Sequence, residues 1–245
     1  MPAELRATAA ARTAVPVLLT LGALAYTSWA LEAFLPTGLS PLRTYVSELA
    51  AEDQPYGAFF RGVDFAAGVL VCAGAGGALL RPRAAALPGV RHPGVLAVAG
   101  WAGIALFGAA TAADSRLPLS CAPTVDAACA AREEAGQVPW AHSAHTVSSG
   151  VAVTGAVIGM LLLTAAVRRD APGAAGVRRA FAVLLAVELA ATVWTLAAIT
   201  AFYAGHGTWA LGIGQRLQVL TIAVFLAVVA WLVRAGAGTA AGRRA

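Results

Sequence analysis

Two pairs of ionisable side chains are the groups in this chain best suited to chemistry. Arg61 and Asp64 form one pair, and His142 and His145 form the other, each with three-residue spacing. Residues three apart share one face of a helix, so the first pair is expected to form either a plain ion pair or part of a site. With Asp114, the two histidines form a ligand set that suits a catalytic divalent metal such as zinc. Without a metal, the same groups can serve as acid and base.

A deeper carboxyl group extends this set. Glu188 lies inside an apolar run, roughly 13 Å from its arginine-rich start at about 1.5 Å per residue. A charge near the middle of a bilayer costs at least ~2.5 kcal/mol unless it is paired, neutral or solvated, so Glu188 is expected to face the protein interior. The predicted catalytic residues are Asp64, Asp114, His142, His145 and Glu188, and the predicted ligand-binding residues are Arg61, Arg216, Gln215, Glu48 and Ser149.

Six apolar runs must position these side chains. Hydrophobic residues make up 59% of the 245 residues and charged residues only 12%, and the mean hydropathy is +0.75. Runs of roughly 20 apolar residues cross a ~30 Å hydrocarbon core as helices, and small residues such as Gly155 and Gly159 allow such helices to pack closely. The sequence predicts an all-α polytopic membrane bundle of about six transmembrane helices, at 13–35, 59–80, 93–113, 143–167, 180–203 and 212–233.

The distribution of arginine predicts how the bundle is oriented. Most arginines fall in the two tails and in the second and fourth loops, which the positive-inside rule places in the cytoplasm. The net charge of +5 is then explained by anchoring to anionic lipid, and nucleic-acid binding is excluded because no recognition motif accompanies it. The arginines concerned are Arg6, Arg12, Arg81, Arg83, Arg91, Arg168, Arg169, Arg178, Arg179, Arg234, Arg243 and Arg244.

The resulting organisation is that of a multi-pass protein of the bacterial cytoplasmic (plasma) membrane. The absence of lysine and the abundance of alanine are typical of a GC-rich bacterial genome. The predicted parts are a cytoplasmic N-terminal tail at 1–12, a six-helix transmembrane domain at 13–234 and a cytoplasmic C-terminal tail at 235–245. The outer loops are 36–58, 114–142 and 204–211.

The outer loops carry two further signals. Ser40 followed by Pro41 is typical of a helix start, and apolar residues recur at helical spacing through 42–49. This pattern predicts a short amphipathic helix at the outer membrane surface, either a passive lid or a gate for a substrate. In the third loop, Cys121 and Cys129 lie on the predicted oxidising side, so a disulfide between them is expected.

Three stretches resemble a family of bacterial membrane proteins known as domain of unknown function 998. They are SPLRTYVSELAAEDQPYGAFFRGVDFAAGVL, DSRLPLSCAPTVDAAC and WAHSAHTVSSG. The family typically has a Ser-Glu-Leu-like segment after the first span, an Asp/Pro element after the third and a His that opens the fourth. The resemblance covers most of 39–150 and implies a fold without implying an activity. The matching positions are Ser47, Glu48 and Leu49, then Asp114 and Pro118, then His142 or His145.

A second similarity concerns the histidines alone. Paired histidines with Asp114 are similar to a feature of the intramembrane hydrolases related to alkaline ceramidases. Those enzymes have a seventh span and a His-x-x-x-His spacing, neither of which this sequence contains.

These observations leave three hypotheses of function. The favoured one is a plasma-membrane protein that binds a lipid or another amphipathic ligand in an outward-facing polar cavity. Arg61 and Arg216 would then hold an anionic head group. This hypothesis is favoured because the only feature that it requires is the cluster of polar side chains named above.

The two alternatives require chemistry or transport. An intramembrane enzyme would be a metal-dependent lipid hydrolase that uses His142, His145 and Asp114, or an acid-catalysed isoprenoid cyclase or isomerase with Asp64 or Glu188 as the acid. A proton-coupled transporter would use Glu188. No cofactor is required by the sequence, although a divalent metal fits the hydrolase hypothesis.

Overall fold

The computed structural model describes residues 3–82, 85–87, 94–171 and 173–242, with side chains between 13 and 236. Within these residues the chain is helical and contains no strand. Six helices are long and apolar enough to cross a membrane, which confirms the predicted polytopic bundle. The α-helices are α1 (Ala3–Tyr26), α2 (Gly57–Leu80), α3 (Val95–Asp114), α4 (Ala127–Glu134), α5 (Trp140–Asp170), α6 (Ala175–Tyr203) and α7 (Leu211–Gly242), and 3-10 helices cover Ser28–Ala33 and Val46–Ala50.

The six long helices pack as a closed ring. Going round it, α1 contacts α2, α2 contacts α3, α3 contacts α5, α5 contacts α6, α6 contacts α7, and α7 returns to α1. The short α4 belongs to the connection between α3 and α5. The contact between α5 and α6 is the least extensive of the six, and this is where the ring is most open.

Glycines bring α2, α3 and α5 into close contact. A Cβ on Gly68 of α2 would lie 2.4 Å from the backbone nitrogen of Ala112 in α3, and a Cβ on Gly155 of α5 would lie 2.7 Å from that of Phe107. A Cβ on Gly159 would meet the Ile104 side chain at 2.6 Å. The predicted packing role of Gly155 and Gly159 is therefore confirmed, because only a residue without a side chain allows these backbones to approach.

The connection between α1 and α2 is not the amphipathic α-helix that the sequence predicted. Within the predicted segment, residues 41–43 form a turn and only Val46–Ala50 is helical, as a 3-10 helix. The carboxylate of Glu48 accepts the backbone N–H of Tyr45, and side chains from α2 and α7 bind other peptide groups of this connection. Tertiary partners therefore replace regular helical hydrogen bonds. Glu48 and Leu49 are buried, so this segment is part of the protein interior and not a helix on the membrane surface.

The connection between α3 and α5 contains the predicted disulfide, which joins Cys121 and Cys129. The short α4, which the sequence did not predict, begins where Asp126 accepts the backbone N–H of Ala128. Hydrogen bonds join this connection to the one between α1 and α2, among them Glu52 N–H to the Leu119 carbonyl at 2.9 Å. Together they cover one end of the ring, and we call residues 27–56 and 115–139 the cap.

The helices run into both predicted tails. The first helix begins at Ala3 and the last ends at Gly242, so neither tail is set off from the bundle by a break in helical structure. The domain division and the cytoplasmic placement of the termini remain predictions. Four of the arginines behind that placement, Arg83, Arg91, Arg243 and Arg244, lie outside the described residues.

Candidate functional site

Arg216, in the first turns of α7, fastens the cap to the bundle. Its guanidinium donates two hydrogen bonds of 2.6 Å to the Glu32 carboxylate and bonds of 3.0 and 3.1 Å to the Thr44 and Gly212 carbonyls. The Arg216 and Glu32 side chains are only 6% and 5% exposed. Because these bonds already use four donor positions, the predicted binding of an anionic head group by Arg216 would require this ion pair to open.

Arg61 also binds the cap. Its Nη1 donates to the carbonyl of Ala50 at 2.6 Å and to that of Ala51 at 3.3 Å. No ion pair between Arg61 and Asp64 forms among the described residues, so the plain helix-end pair is a wrong prediction. The physical reason is that α2 starts directly beneath the cap, whose backbone carbonyls offer acceptors to the first turns of the helix.

Glu48 holds the two halves of the cap together. Its carboxylate accepts the backbone N–H of Thr124 at 2.8 Å, the hydroxyl of Thr124 and the backbone N–H of Tyr45 at 3.0 Å. Burial raises the pKa of Glu48 from 4.5 to about 7, and the hydrogen bonds from Thr124 and Tyr45 oppose that rise. Glu48 lines neither of the cavities described below, so its location suits fastening the cap and gives no direct contact with a ligand there.

His142 is another fastening residue. Its Nδ1 lies 3.1 Å from the backbone nitrogen of Ser120 and 3.0 Å from the Ser120 hydroxyl. Its Nε2 lies 3.5 Å from a carboxylate oxygen of Glu133. The side chain is completely buried. His142 therefore connects the start of α5 to both ends of the disulfide-bonded part of the cap.

His145 has different partners, although it is only one turn further along α5. Its Nδ1 lies 2.9 Å from the carbonyl oxygen of Leu117 and 3.2 Å from Oδ1 of Asp114. Its Nε2 lies 3.3 Å from the hydroxyl of Ser149. Ser149 Oγ is in turn 3.1 Å from both carboxylate oxygens of Asp114, and Ser148 also donates to that carboxylate. Asp114, His145 and Ser149 thus form a triangle of mutual contacts.

The structure brings together two of the three predicted metal ligands, His145 and Asp114. His142 faces Ser120 and Glu133 instead, because residues three apart differ in direction by about 60° around a helix. Among the residues that the structure describes, no group of three or more His, Cys, Asp or Glu is placed to hold a metal ion.

Beneath the cap is a cavity of about 120 Å³, which we call the polar chamber. It extends between α1, α2, α3, α5 and α7 and has room for a small polar group or several waters. No hydrogen bond within the described residues engages the carboxyl group of Asp64, which lines it. The predicted site residues that meet in its lining are Arg61, Asp64, Asp114, His145, Ser149 and Gln215.

A second cavity of about 430 Å³ lies where α5 and α6 are least tightly packed. We call it the apolar crevice, because carbon atoms dominate its lining, from residues such as Val153, Leu196 and Ile199. The crevice and the chamber are adjacent and have a common wall. The residues that line both are Ser47, Leu119, His145, Ser149, Val153, Gln215 and Gln218.

Glu188 is buried in the ring, as expected from its depth. Its Oε1 accepts the hydroxyl of Thr192 at 3.4 Å, and Gln218 Nε2 donates to the same hydroxyl at 2.8 Å. Among the described residues, the other carboxyl oxygen of Glu188 and the hydroxyl of Thr195 have no hydrogen-bond partner. Glu188 lines neither cavity, but Thr192 and Gln218 connect it to the wall of the crevice.

Several residues of the site were missed by sequence reasoning. Gln218, which lines both cavities, lies three residues after Gln215, so the helical spacing that paired the histidines would also have found it. Ser120, Thr124 and Glu133 had no such signal, since they lie in the irregular cap and their partners are far away in the sequence.

A closed ring of six apolar helices, with ionisable side chains gathered beneath a cap at one end, defines a polytopic helical membrane protein. The model of one family, described as a protein of unknown function (DUF998), matches residues 19–232. The chain belongs to this family, and the match extends the resemblance noted at 39–150 through the last two spans. No curated protein and no solved structure matches the chain.

Proposed function

We propose that the protein binds an amphipathic ligand, a membrane lipid or an isoprenoid, with its polar group in the polar chamber and its chain in the apolar crevice. The observation that carries this proposal is the common wall of the two cavities. A small polar space that adjoins a larger apolar one suits a molecule with a compact head and a hydrocarbon chain. The loose contact between α5 and α6 gives such a chain a route from the bilayer.

The charges around the chamber support a head group without net negative charge. Arg216 is neutralised by Glu32, and Arg61 is bound to backbone carbonyls of the cap. The carboxyl groups of Asp64 and Asp114 line the same space. A phosphate would meet these carboxyl groups, whereas a hydroxyl or an amide N–H could donate hydrogen bonds to them.

The site would face the outside of the bacterial plasma membrane. The arginine distribution supports this orientation, because it assigns the cap to the side opposite the arginine-rich loops. The disulfide between Cys121 and Cys129 fits an oxidising compartment on that side.

The test is retention of lipid by protein purified in mild detergent, measured by native mass spectrometry and by lipid analysis of the extracted sample. Gly150 lines the crevice, and a Cβ there would meet nothing within 4 Å. Gly150→Phe should therefore fill the crevice without disturbing the backbone and lower bound lipid at least tenfold. Gly62→Phe is the matched control, because Gly62 is also a helical glycine with open space beside it but lines neither cavity.

Wild-type protein and Gly62→Phe should retain the same lipid. Equal retention by Gly150→Phe would contradict the proposed location of the chain. Absence of retained lipid from wild-type protein purified in mild detergent would contradict the proposal as a whole.

Proton-coupled transport is a second candidate. It is favoured by buried Glu188, because one of its carboxyl oxygens has no hydrogen-bond partner within the part of the chain that the structure describes. An intramembrane carboxyl group of this kind is what a proton carrier requires. In proteoliposomes, Glu188→Gln should abolish proton flux driven by a pH gradient, while Thr200→Val, on an exposed face of the same helix, should not. Equal flux in wild type, Glu188→Gln and empty vesicles would contradict this candidate.

The two enzymatic hypotheses, a metal-dependent hydrolase and an isoprenoid cyclase or isomerase, are tested on different residues. The metal-dependent hydrolase predicts about one equivalent of metal in purified protein that is lost in a His142→Ala/His145→Ala variant, as measured by elemental analysis. The isoprenoid cyclase or isomerase predicts an acid in the chamber, where Asp64 is the carboxyl group without a hydrogen bond among the described residues. Asp64→Asn should then abolish turnover of an isoprenoid substrate.

A further inference from the structure

The hydrogen bonds of His145 determine which of its ring nitrogens accepts a proton. A backbone carbonyl can only accept a hydrogen bond, so the 2.9 Å contact between Nδ1 and the Leu117 oxygen requires the hydrogen to be on Nδ1. The neighbouring Asp114 carboxylate, 3.2 Å from Nδ1, favours the same tautomer. In the neutral ring, Nε2 is then an unprotonated acceptor.

The group that faces this acceptor is the hydroxyl of Ser149, whose Oγ lies 3.3 Å from Nε2. The same hydroxyl lies 3.1 Å from both carboxylate oxygens of Asp114 and donates to that carboxylate, so its one hydrogen must turn to Nε2 for the reaction. His145 and Ser149 are four residues apart on α5 and therefore lie on one face of the helix. Ser149 is half-buried and lines both the polar chamber and the apolar crevice. A serine hydroxyl that is accessible from a cavity and lies beside an imidazole, whose other ring nitrogen contacts a carboxylate, is the arrangement that activates a serine nucleophile.

We propose that Ser149 is the nucleophile of an acyl-transfer reaction on an ester-linked acyl chain, with His145 as general base and Asp114 as a positioning residue. This inference rests on the proposed function, since the ester would be that of the bound amphipathic ligand. The acyl chain would occupy the apolar crevice, and the ester carbonyl would lie at the common wall beside Ser149.

In the acylation step, Ser149 Oγ forms a bond to the ester carbonyl carbon as its proton moves to His145 Nε2. The carbonyl π electrons move to oxygen and return as the bond to the alcohol oxygen breaks. The departing alcohol takes the proton from His145. Water then adds to the acyl-serine and gives a proton to His145, the bond to Ser149 Oγ breaks, and that oxygen takes the proton back. The products are an alcohol and a carboxylic acid, and the enzyme is unchanged.

The surroundings of Ser149 support both steps. Asp114 stabilises the imidazolium that forms transiently, since its carboxylate is next to Nδ1. Gln215 lines the same wall and uses its Oε1 to accept the backbone N–H of Val46, which leaves its amide nitrogen as a donor for the developing oxyanion. Ser148 also donates to Asp114 but lines neither cavity, so it has no access to a substrate.

The test is labelling of the purified full-length protein with a dodecyl fluorophosphonate, followed by peptide mapping and by intact mass. One covalent adduct is expected on Ser149, and none in Ser149→Ala. His145→Ala should slow labelling about 100-fold or more, the contribution typical of a general base. Ser143→Ala is the matched control, because Ser143 is an exposed serine of the same helix outside both cavities and its loss should not change the rate.

The role of Asp114 is tested with 4-nitrophenyl dodecanoate as substrate. Asp114→Asn should lower kcat about 100-fold and leave KM unchanged, because it acts through His145 and not on the acyl chain. Thermal unfolding of each variant shows whether it is folded. An equal loss of kcat in Ser143→Ala, or a change in KM alone in Asp114→Asn, would overturn the assigned roles.

The outcomes also separate this inference from the proposed function. Lipid retained by wild type and by Ser149→Ala, with no adduct in either, would overturn the acyl-transfer reaction and leave lipid binding intact. An adduct on Ser148 in place of Ser149 would overturn the assignment of the nucleophile. An adduct on Ser149 that is unaffected by Gly150→Phe would support the nucleophile and contradict the proposed position of the chain.

Discussion

Replacing Arg216 by methionine should strongly destabilise the protein, because it leaves a buried carboxylate without its partner. Glu32 is 5% exposed and receives both of its 2.6 Å hydrogen bonds from this arginine. The Thr44 carbonyl also loses its guanidinium donor. Removing one partner of a buried pair typically costs about 3–5 kcal/mol.

The compensating double variant makes this prediction specific. Glu32→Leu with Arg216→Met removes both charges and fills the space with apolar atoms, a change that is often neutral for buried pairs. It should recover most of the loss. Arg234→Met, at an exposed arginine in the second half of the same helix, is the control for the loss of a charge alone and should be close to wild type.

The assay is thermal unfolding in dodecyl maltoside, followed by tryptophan fluorescence. At about 2–4 °C per kcal/mol for a chain of this size, Arg216→Met should lower Tm by roughly 6–20 °C. A shift below about 2 °C would refute the view that this pair fastens the cap to the bundle. A double variant as unstable as the single one would show that the arginine contributes through packing and not through its charge.

Three further predictions concern the cap and the helix contacts. Reduction of the disulfide between Cys121 and Cys129 should lower the free energy of unfolding by about 2.5 kcal/mol through loop entropy. Reductant should therefore lower the Tm of the wild type but not that of a variant with serine at both positions. Burial raises the pKa of Glu48 from 4.5 to about 7, so the folded state favours the protonated acid and loses stability as the pH rises through this range. Between pH 5 and pH 8 the wild type should lose up to about 3 kcal/mol of stability relative to Glu48→Gln. Parallel pH profiles of stability for the two proteins would contradict this. Gly155→Leu should lower the free energy of chemical unfolding by about 2–3 kcal/mol, because its Cβ would lie 2.7 Å from a backbone nitrogen of α3. Gly150→Leu is the control and should cost little, because Gly150 has open space around it. Equal losses of stability in the two variants would contradict the packing argument.

The bundle was predictable because its signals are local. A run of about 20 apolar residues indicates a membrane helix from local sequence alone, since an α-helix satisfies all its backbone hydrogen bonds within one segment. The disulfide between Cys121 and Cys129 was predicted because both cysteines lie in one loop on the predicted oxidising side, and the close packing at Gly155 and Gly159 followed from their small size and spacing. The 3-10 segment Val46–Ala50 was misread because its peptide groups are held by side chains from other helices.

The candidate site was predicted as a set of residues but not as an arrangement. Asp64, Asp114 and His145 do meet in one chamber. His142, chosen by the same spacing argument, lies instead against Ser120. Helical periodicity gives the relative direction of two side chains but not which of them faces the centre of the bundle.

The sequence by itself determined that this chain is a polytopic helical membrane protein of its family and which side chains carry ionisable groups. Only the tertiary structure decided what those groups do for one another. Glu32 and Arg216 are 184 residues apart, and Ser149 meets Asp114 from another helix at a separation of 35. Such pairs depend on how each helix is rotated about its axis and on which backbones glycine allows to approach, and both are set by packing of the whole ring.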